Sequence, residues 1–242
     1  MTTFSHASKG RLTDRDLGRF PSETLFDRIA RAACHAGCLP RKELYEAWEV
    51  ARRTRRLFRG GRVVDLGAGH GLLGQIMLIL DDTSPGVVAA DTHLPPSCAK
   101  LHAALLESWP RLAGRVAFEP LALDAVDLRP RDVVVSSHAC GALTDVVLER
   151  AVAVRARVAV LPCCHHLDTR GGNHSLSADA RGAKVEGMPS LSGWLDGPLA
   201  IDVMRAVRLE QQGYKVWTQT IPEAVTPKNR LLLAAPVAPL AP

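Results

Sequence analysis

The sequence predicts an α/β fold in which a doubly wound, mostly parallel sheet of seven strands is preceded by a helical segment. Short β-branched runs alternate with helical patterns from about residue 62 to residue 161, and two strand patterns then close the chain without a helix between them. Alternating strands and helices form parallel sheets, whereas two consecutive strands pair antiparallel at an edge. A glycine-rich turn after the first strand is a further indication, because such sheets bind ligands at turns of this kind.

The N-terminal 60 residues are expected to lie outside the sheet. Residues 1–20 are polar and lack a period, which is typical of a loose arm. Ser22 is a favoured cap for a first helix over roughly 23–36 that ends at Gly37, and a second helix is expected over about 41–57. These patterns divide the chain into the arm with two helices (1–60), the sheet domain (61–235) and an unstructured tail (236–242).

The strands of the sheet domain are predicted from β-branched runs that end in turn residues. They are expected at 62–66, 86–90, 115–118, 132–136, 157–161, 214–220 and 230–235. An apolar helix that ends at Gly213 comes before the last two strands. The order therefore gives five βα units and an antiparallel C-terminal strand.

The composition indicates a globular protein outside the membrane. Of the 242 residues, 47% are hydrophobic and 23% are charged, and no run of about 18 apolar residues occurs. The six cysteines do not form a secreted disulfide pattern, which favours a reducing, cytoplasmic setting. The net charge of +5 permits a polyanionic partner without requiring one.

The turn after the first strand reads Asp65-Leu66-Gly67-Ala68-Gly69-His70-Gly71. Three glycines without Cβ atoms let the backbone approach a ligand closely and adopt positive φ. This turn resembles the cofactor loop of class I S-adenosylmethionine (SAM) methyltransferases. The resemblance implies SAM contacts from Asp65, Gly67, Ala68, Gly69 and Gly71. Residues 69–74 also fit the Gly-x-Gly-x-x-Gly pattern of dinucleotide-binding folds, and a glycine turn without a ligand is the third alternative.

Two acids at later strand ends are candidates for further cofactor contacts. Asp91 ends the second strand, where a carboxylate can accept hydrogen bonds from both hydroxyls of a ribose; its alternative role is a helix cap. Asp124 follows the third strand and is the expected partner of the adenine amino group, with Asp127 as a competitor. His70 in the glycine turn is expected either to contact a ligand or to face solvent.

Histidines and cysteines follow the fourth and fifth strands, at the same edge of the sheet. We expect His138, Cys140, His165 and His166 to form a reaction site there, with His138 or His165 as the general base, because a neutral histidine suits this role. Cys163 and Cys164 pack as small apolar side chains in this interpretation. A zinc site is the alternative, although no Cys-x-x-Cys pair is present.

The same segments, His138-Ala139-Cys140-Gly141-Ala142-Leu143-Thr144-Asp145 and Cys163-Cys164-His165-His166, resemble a particular methyltransferase family. That family includes eukaryotic tRNA acceptor-stem 2′-O-methyltransferases, the methyltransferase-like domain of a glutathione-transferase-related protein, and bacterial single-domain members. The resemblance implies a Rossmann-like sheet and SAM-dependent methyl transfer. The tRNA enzymes carry N-terminal zinc-finger modules, whereas this chain has two predicted helices there.

The methyl acceptor is expected to be an RNA, with tRNA among the candidates. Eight basic residues and three acidic ones lie between residues 41 and 62, and arginine suits phosphate. A solvated helix face is the alternative explanation of this basic run. A small-molecule or protein acceptor, or a SAM-binding module without turnover, also stays open.

Overall fold

The computed structural model describes residues 5–162 and 197–237. Within them the elements are, in chain order, α1 Leu25–Ala36, α2 Arg41–Leu57, β1 Val63–Leu66, α3 Leu72–Leu80, β2 Val87–Ala90, α4 Cys98–Ser108, β3 Val116–Glu119, β4 Val133–Ser136, α5 Ala142–Ala153, β5 Arg157–Val160, α6 Gly197–Gln211, β6 Tyr214–Thr220 and β7 Arg230–Pro236. Each predicted strand is present, with bounds within one residue of the expected ones.

The sheet has seven strands in the order β3-β2-β1-β4-β5-β7-β6. Strands β1 to β5 are parallel, and β7 is antiparallel to both of its neighbours, β5 and β6. The predicted fold class and the antiparallel C-terminal strand are therefore confirmed. Strand β1 lies between β2 and β4, so the direction of winding reverses beside it, and this is where ligands bind in such sheets.

Two apolar layers cover the two faces of the sheet. All residues of β1, β2 and β4 are buried, which is typical of a parallel sheet with helices on both sides. Val63 of β1 belongs to the layer formed with α1 to α4, whereas its neighbour Val64 belongs to the layer formed with α5 and α6. The N-terminal helices thus share one core with the sheet.

The predicted loose arm is wrong for the stretch from Leu12 to Phe20. Both of these side chains are buried in the core, and the Leu12 amide donates to the carbonyl of Leu39 at 2.9 Å. A short 3-10 helix, Asp14–Arg19, separates them. Leu17, between them, also packs against the core, and these three apolar residues in a polar stretch dock the arm although they give no sustained periodic signal.

The cap of α1 also differs from the prediction. The hydroxyl of Thr24, not of Ser22, accepts from the Asp27 amide at the first turn. Ser22 instead donates its hydroxyl to the Asp27 carboxylate at 2.7 Å. The predicted end at Gly37 is correct, with φ of 63° in the left-handed region. No helix within the described ranges is long and apolar enough to cross a membrane.

Replacing Phe20 with alanine tests the docking of the arm. Because Phe20 is 2% exposed, Phe20→Ala is expected to lower the free energy of unfolding by about 3 kcal/mol in urea denaturation. The control is Leu57→Ala, at a side chain that is 37% exposed, which should cost about 0.5 kcal/mol or less. Equal, small losses in both variants would contradict a docked arm.

Candidate active site

The glycine turn requires glycine at three positions. Gly67, Gly69 and Gly71 have φ of 69°, 52° and 70°, in the left-handed region that other residues rarely adopt. A Cβ on Gly71 would lie 2.8 Å from the ring of Phe118, whereas a Cβ on Gly69 would meet nothing within 4 Å. The turn is therefore closely packed on its inner side, and Gly69 faces open space.

Asp65 lies behind this turn rather than in it. Its side chain is buried, and Oδ2 accepts a hydrogen bond from the Gly74 amide at 3.0 Å. Burial raises the pKa of the Asp65 carboxyl to about 7, although the Gly74 amide acts in the opposite direction. Asp65 therefore fixes the first turn of α3, at the point where Gly74 leaves room for Val87 of β2.

Asp91 holds the other side of the glycine turn. Its Oδ2 accepts from the Gly69 amide at 3.0 Å, and its Oδ1 accepts from the His93 amide at 3.0 Å. A carboxylate has about four acceptor positions, so two remain for a ligand. Asp91 does not cap a helix, because α4 begins only at Cys98 and its N-cap residue is Ser97.

One cavity of about 510 Å³ brings four of the predicted residues together: Gly67, Asp91, Asp124 and His138. They come from the carboxyl ends of β1, β2, β3 and β4, respectively. Leu123, Leu143, Val146, Ala139, Ala122 and Thr92 complete the walls. The volume lies within the range of roughly 300–1,000 Å³ that small-molecule sites occupy.

The structure separates Asp124 from its competitor. Asp124 lines the cavity, whereas Asp127 forms an exposed ion pair with Arg129 at 2.8 Å. Arg150 of α5 donates to the main-chain carbonyls of Leu123 and Val126, on the two sides of Asp124. The loop that carries Asp124 is thus tied to α5.

The loop after β4 presents His138 at the mouth of this cavity. His138 is exposed and also borders a small cleft that contains Ala68 and His70. The neighbouring amide of Ala139 donates to the hydroxyl of Ser136 at 3.2 Å. The hydroxyl of Thr144 donates to the carbonyl of Ala139 at 2.6 Å, so the backbone beside His138 is held from both sides.

A buried ion pair anchors the end of the same loop. Arg205 of α6 binds both carboxylate oxygens of Asp145, at 2.7 and 3.0 Å, and donates to the carbonyl of Gly141 at 3.1 Å. Asp202 bridges Arg205, at 3.1 Å, and Arg230 of β7, at 2.6 Å. The Thr144-Asp145 part of the motif therefore positions the loop. The sequence analysis missed Arg205, whose only signal is a charge on the buried face of a helix.

His70 is held by neighbouring side chains. Its Nε2 lies 3.0 Å from the hydroxyl of Ser97, and its Nδ1 lies 3.6 Å from a carboxylate oxygen of Glu43 in α2. It is half-buried, in contrast to the solvent-facing alternative. His70 thereby connects the glycine turn to the N-terminal helices.

The predicted residues after β5, namely Cys163, Cys164, His165 and His166, lie outside the described residues. Cys140 is partly exposed in the loop that follows His138. In the part of the chain that the structure describes, no three His, Cys, Asp or Glu side chains are grouped as metal ligands would be. Cys34 and Cys38 are buried, and burial raises the pKa of the Cys34 thiol to about 12, which fits core packing.

The basic run of residues 41–62, from which an RNA contact was expected with a solvated helix face as the alternative, is largely paired with carboxylates. Most of its side chains are bound to carboxylates: Lys42 to Glu46 at 3.1 Å, Arg52 and Arg53 to Glu49 at 3.0 Å, Arg55 to Asp81 at 3.1 Å, and Arg62 to Asp132 at 2.8 Å. Arg55 is buried in the core. The sequence pattern shows charges but not the partners that neutralise them.

A sheet of this order, with a glycine turn and a cavity at its switch point, is the architecture of the Rossmann-like methyltransferases. A family model described as a methyltransferase domain matches residues 43–169, more than half of the 242-residue chain. The chain belongs to this family.

Individual relatives are more distant. The glutathione S-transferase C-terminal domain-containing protein of Xenopus laevis is 27% identical over 43% of this chain and 20% of that protein, so the chain spans about a fifth of its length. A Clostridium thermocellum structure described as an rRNA methylase has a TM-score of 0.49 at 12% identity, over 79% of this chain and 95% of that one. An O-methyltransferase family protein from Burkholderia thailandensis has a TM-score of 0.47 at 17% identity, over 91% and 62%.

Asp65 should make the stability of the fold depend on pH. Its folded pKa of about 7 lies above the ordinary value of 3.8, so the contribution of its protonated form is complete below about pH 4 and is lost as the pH rises through about 7. Asp65→Asn does not titrate. Relative to this variant, the wild type should lose on the order of 4 kcal/mol of unfolding free energy across that window.

Urea denaturation of both proteins between pH 4 and pH 8 measures this difference. Asp127→Asn, which removes an exposed carboxylate, is the control and should follow the wild type. Parallel pH profiles of the wild type and Asp65→Asn would contradict the burial of a protonated Asp65.

Proposed function

We propose that the protein is a SAM-dependent methyltransferase that acts on RNA. The observation that carries the cofactor assignment is the cavity at the switch point, which joins Gly67 of the glycine turn to Asp91, Asp124 and His138. The family provides the reaction class. The hydrogen-bonding groups of these side chains are the support for SAM as the cofactor.

Each part of the cavity fits one part of SAM. The turn at Gly67 and Gly69 leaves space for the methionine portion. The open acceptor positions of Asp91 suit the two ribose hydroxyls, and the carboxylate of Asp124 suits the adenine amino group. Leu123 and Leu143 offer apolar surfaces to the faces of the base. Asp65 acts indirectly, by holding the turn through Gly74.

SAM supplies a methyl group on a positively charged sulfur, which an oxygen or nitrogen of the acceptor can attack. His138 borders both the proposed cofactor cavity and the adjoining cleft, which supports its imidazole as the group that accepts the proton lost by the attacking atom. The backbone bonds of Ala139 to Ser136 and Thr144 keep it there. His165 is the second candidate base, with Cys140 and His166 beside them in sequence.

The support for RNA as acceptor is the positive charge of the chain, +5 with a pI of about 9.1, which is compatible with a polyanion, together with the resemblance of the paired motifs. We would test tRNA first, because the paired motifs resemble those of tRNA methyltransferases. The experiment is incubation with methyl-labelled SAM and a cell extract, followed by separation of the products. Label in RNA supports the proposal, whereas label only in protein or small molecules overturns the RNA acceptor.

Asp91 is expected to be needed for SAM affinity. Asp91→Asn keeps the shape but loses charge-assisted bonds of about 1.5–3 kcal/mol, so the dissociation constant of SAM should rise roughly 10- to 150-fold in calorimetry. Asp127→Asn makes the same charge change on the neighbouring loop and should leave SAM affinity unchanged. Equal affinities of both variants would remove Asp91 from the cofactor site.

His138 is expected to act on the methyl-transfer step alone. His138→Ala should leave the dissociation constant of SAM within about twofold and lower the single-turnover rate by roughly 10²–10⁴-fold. Added imidazole should restore part of the rate, since it can enter the space left by the side chain. His35→Ala, on the surface of α1, is the control. An unchanged rate in His138→Ala would move the base to another residue.

A further inference from the structure

Another cavity, of about 440 Å³, lies at the amino ends of the parallel strands, opposite the candidate active site. Four arginines line it, namely Arg59, Arg131, Arg155 and Arg157, and we refer to it as the arginine cavity. Arg131 precedes β4 and Arg157 begins β5, so these residues lie at the amino ends of the parallel strands. The candidate active site lies at the carboxyl ends.

Two of these arginines adopt an unusual backbone conformation. Arg131 and Arg155 have φ of 72° and 56°, and in the described part of the chain they are the non-glycine residues with positive φ. A side chain with a Cβ is disfavoured in this left-handed region, and glycine is the residue that adopts it without strain. Both positions nevertheless carry arginine, and both border the same cavity.

Main-chain carbonyls hold two of the guanidinium groups in place. Arg157 donates to the carbonyls of Arg59 and Arg131, each at 2.7 Å. Arg155 donates to the carbonyl of Gln212 at 2.9 Å and lies over the ring of Tyr214, 5.1 Å from its centre. These groups are therefore ordered before any ligand arrives, and the carbonyl groups that hold them carry no net charge.

The carboxylates closest to the arginine cavity are bound mainly to residues outside it. Asp132 pairs with Arg62 at 2.8 Å, and Asp81 pairs with the buried Arg55 at 3.1 Å and more distantly, at 4.0 Å, with Arg59. No Asp or Glu side chain of the described ranges lines the cavity. The guanidinium of Arg131 is exposed and makes no side-chain bond to another described residue. Among the residues that the structure describes, the walls of the cavity thus carry four positive side chains and no negative one.

Close packing around Gly61 maintains this arrangement. A Cβ on Gly61 would lie 2.3 Å from a guanidinium nitrogen of Arg157 and 2.3 Å from the carbonyl oxygen of Arg131. Gly61 itself has φ of 80°. The chain is therefore shaped to admit the Arg157 side chain beside the entrance to β1.

We propose that the arginine cavity binds phosphate, and that this phosphate belongs to the backbone of the RNA substrate. Guanidinium groups match phosphate oxygens with paired hydrogen bonds, and several of them together suit the multiple oxygens and negative charge of a phosphate group. The amino and carboxyl ends of four-residue strands are roughly 13 Å apart. Only a large ligand can therefore reach the arginine cavity and the candidate active site together. The RNA assignment rests on the proposed function, whereas the phosphate site does not.

Glycine substitutions test this site without adding backbone strain. Arg131→Gly and Arg155→Gly remove the guanidinium groups and relieve the positive φ. Binding of a fluorescein-labelled RNA hairpin, measured by anisotropy, should weaken at least tenfold in the double variant. The slope of log affinity against log salt should fall by about 1 to 2, one phosphate contact for each arginine. SAM affinity should stay unchanged.

The matched control is Arg129→Ala, which removes one positive charge from the same loop as Arg131, at a residue paired with Asp127. Its single charge change should alter RNA affinity less than twofold, and Arg131→Gly alone should exceed it. If the glycine variants bind RNA as tightly as Arg129→Ala does, the proposal is overturned.

A second arm distinguishes RNA from free phosphate. Pyrophosphate should compete with the hairpin in the wild type and lose this effect in the double variant. If wild-type protein binds pyrophosphate in the cavity but the double variant still binds RNA as tightly as the wild type does, the cavity is a site for free phosphate. The RNA part of the proposal is then overturned. A different result is possible, in which the double variant loses RNA binding but the wild-type protein transfers no methyl group to RNA. RNA is then not the methyl acceptor, whereas the phosphate site is supported.

Discussion

A single buried hydroxyl joins the two loops on which the candidate active site depends. Ser136, at the end of β4, donates to the carbonyl of Leu66 at the end of β1, at 2.6 Å, and accepts from the amide of Ala139. Strands β1 and β4 are neighbours, but the helices that follow them, α3 and α5, pack into different apolar layers. The segments that follow β1 and β4 therefore diverge, and the cavity lies where they do so. The Ser136 hydroxyl sets how far the glycine turn and the His138 loop can move apart.

The acids around the cavity act mainly on the backbone. Asp65 accepts from the Gly74 amide in α3, and Asp91 accepts from the Gly69 amide in the glycine turn. Asp145 holds Arg205, which in turn binds the Gly141 carbonyl. A buried ion pair contributes little net stability, because desolvation offsets much of the attraction, but it restricts the geometry. Loops fixed in this way are ordered before a ligand binds, and that order is what catalytic groups need.

The strands and the cavity were predictable because both follow from local patterns. β-branched runs that end in glycine or acid mark the strands, and the carboxyl ends of adjacent parallel strands must meet, which joins Gly67, Asp91 and His138. Partners distant in sequence were not predictable. Arg205 lies 60 residues from Asp145, and the charges of the 41–62 run look unpaired until the fold brings Asp81 and Asp132 to them. The docked arm was missed because Leu12, Leu17 and Phe20 give no sustained periodic signal.

The position of β7 has a consequence for how the protein is made. This strand is the last of the described strands in sequence, yet it lies inside the sheet, between β5 and β6. During synthesis, the side of β5 that pairs with β7 stays open until Arg230–Pro236 has left the ribosome, because β7 follows the other described strands in sequence. The sheet is therefore completed after all of its other described strands have been made. A nascent chain that stops short of β7 exposes unpaired backbone on β5, beside the loop that carries His138.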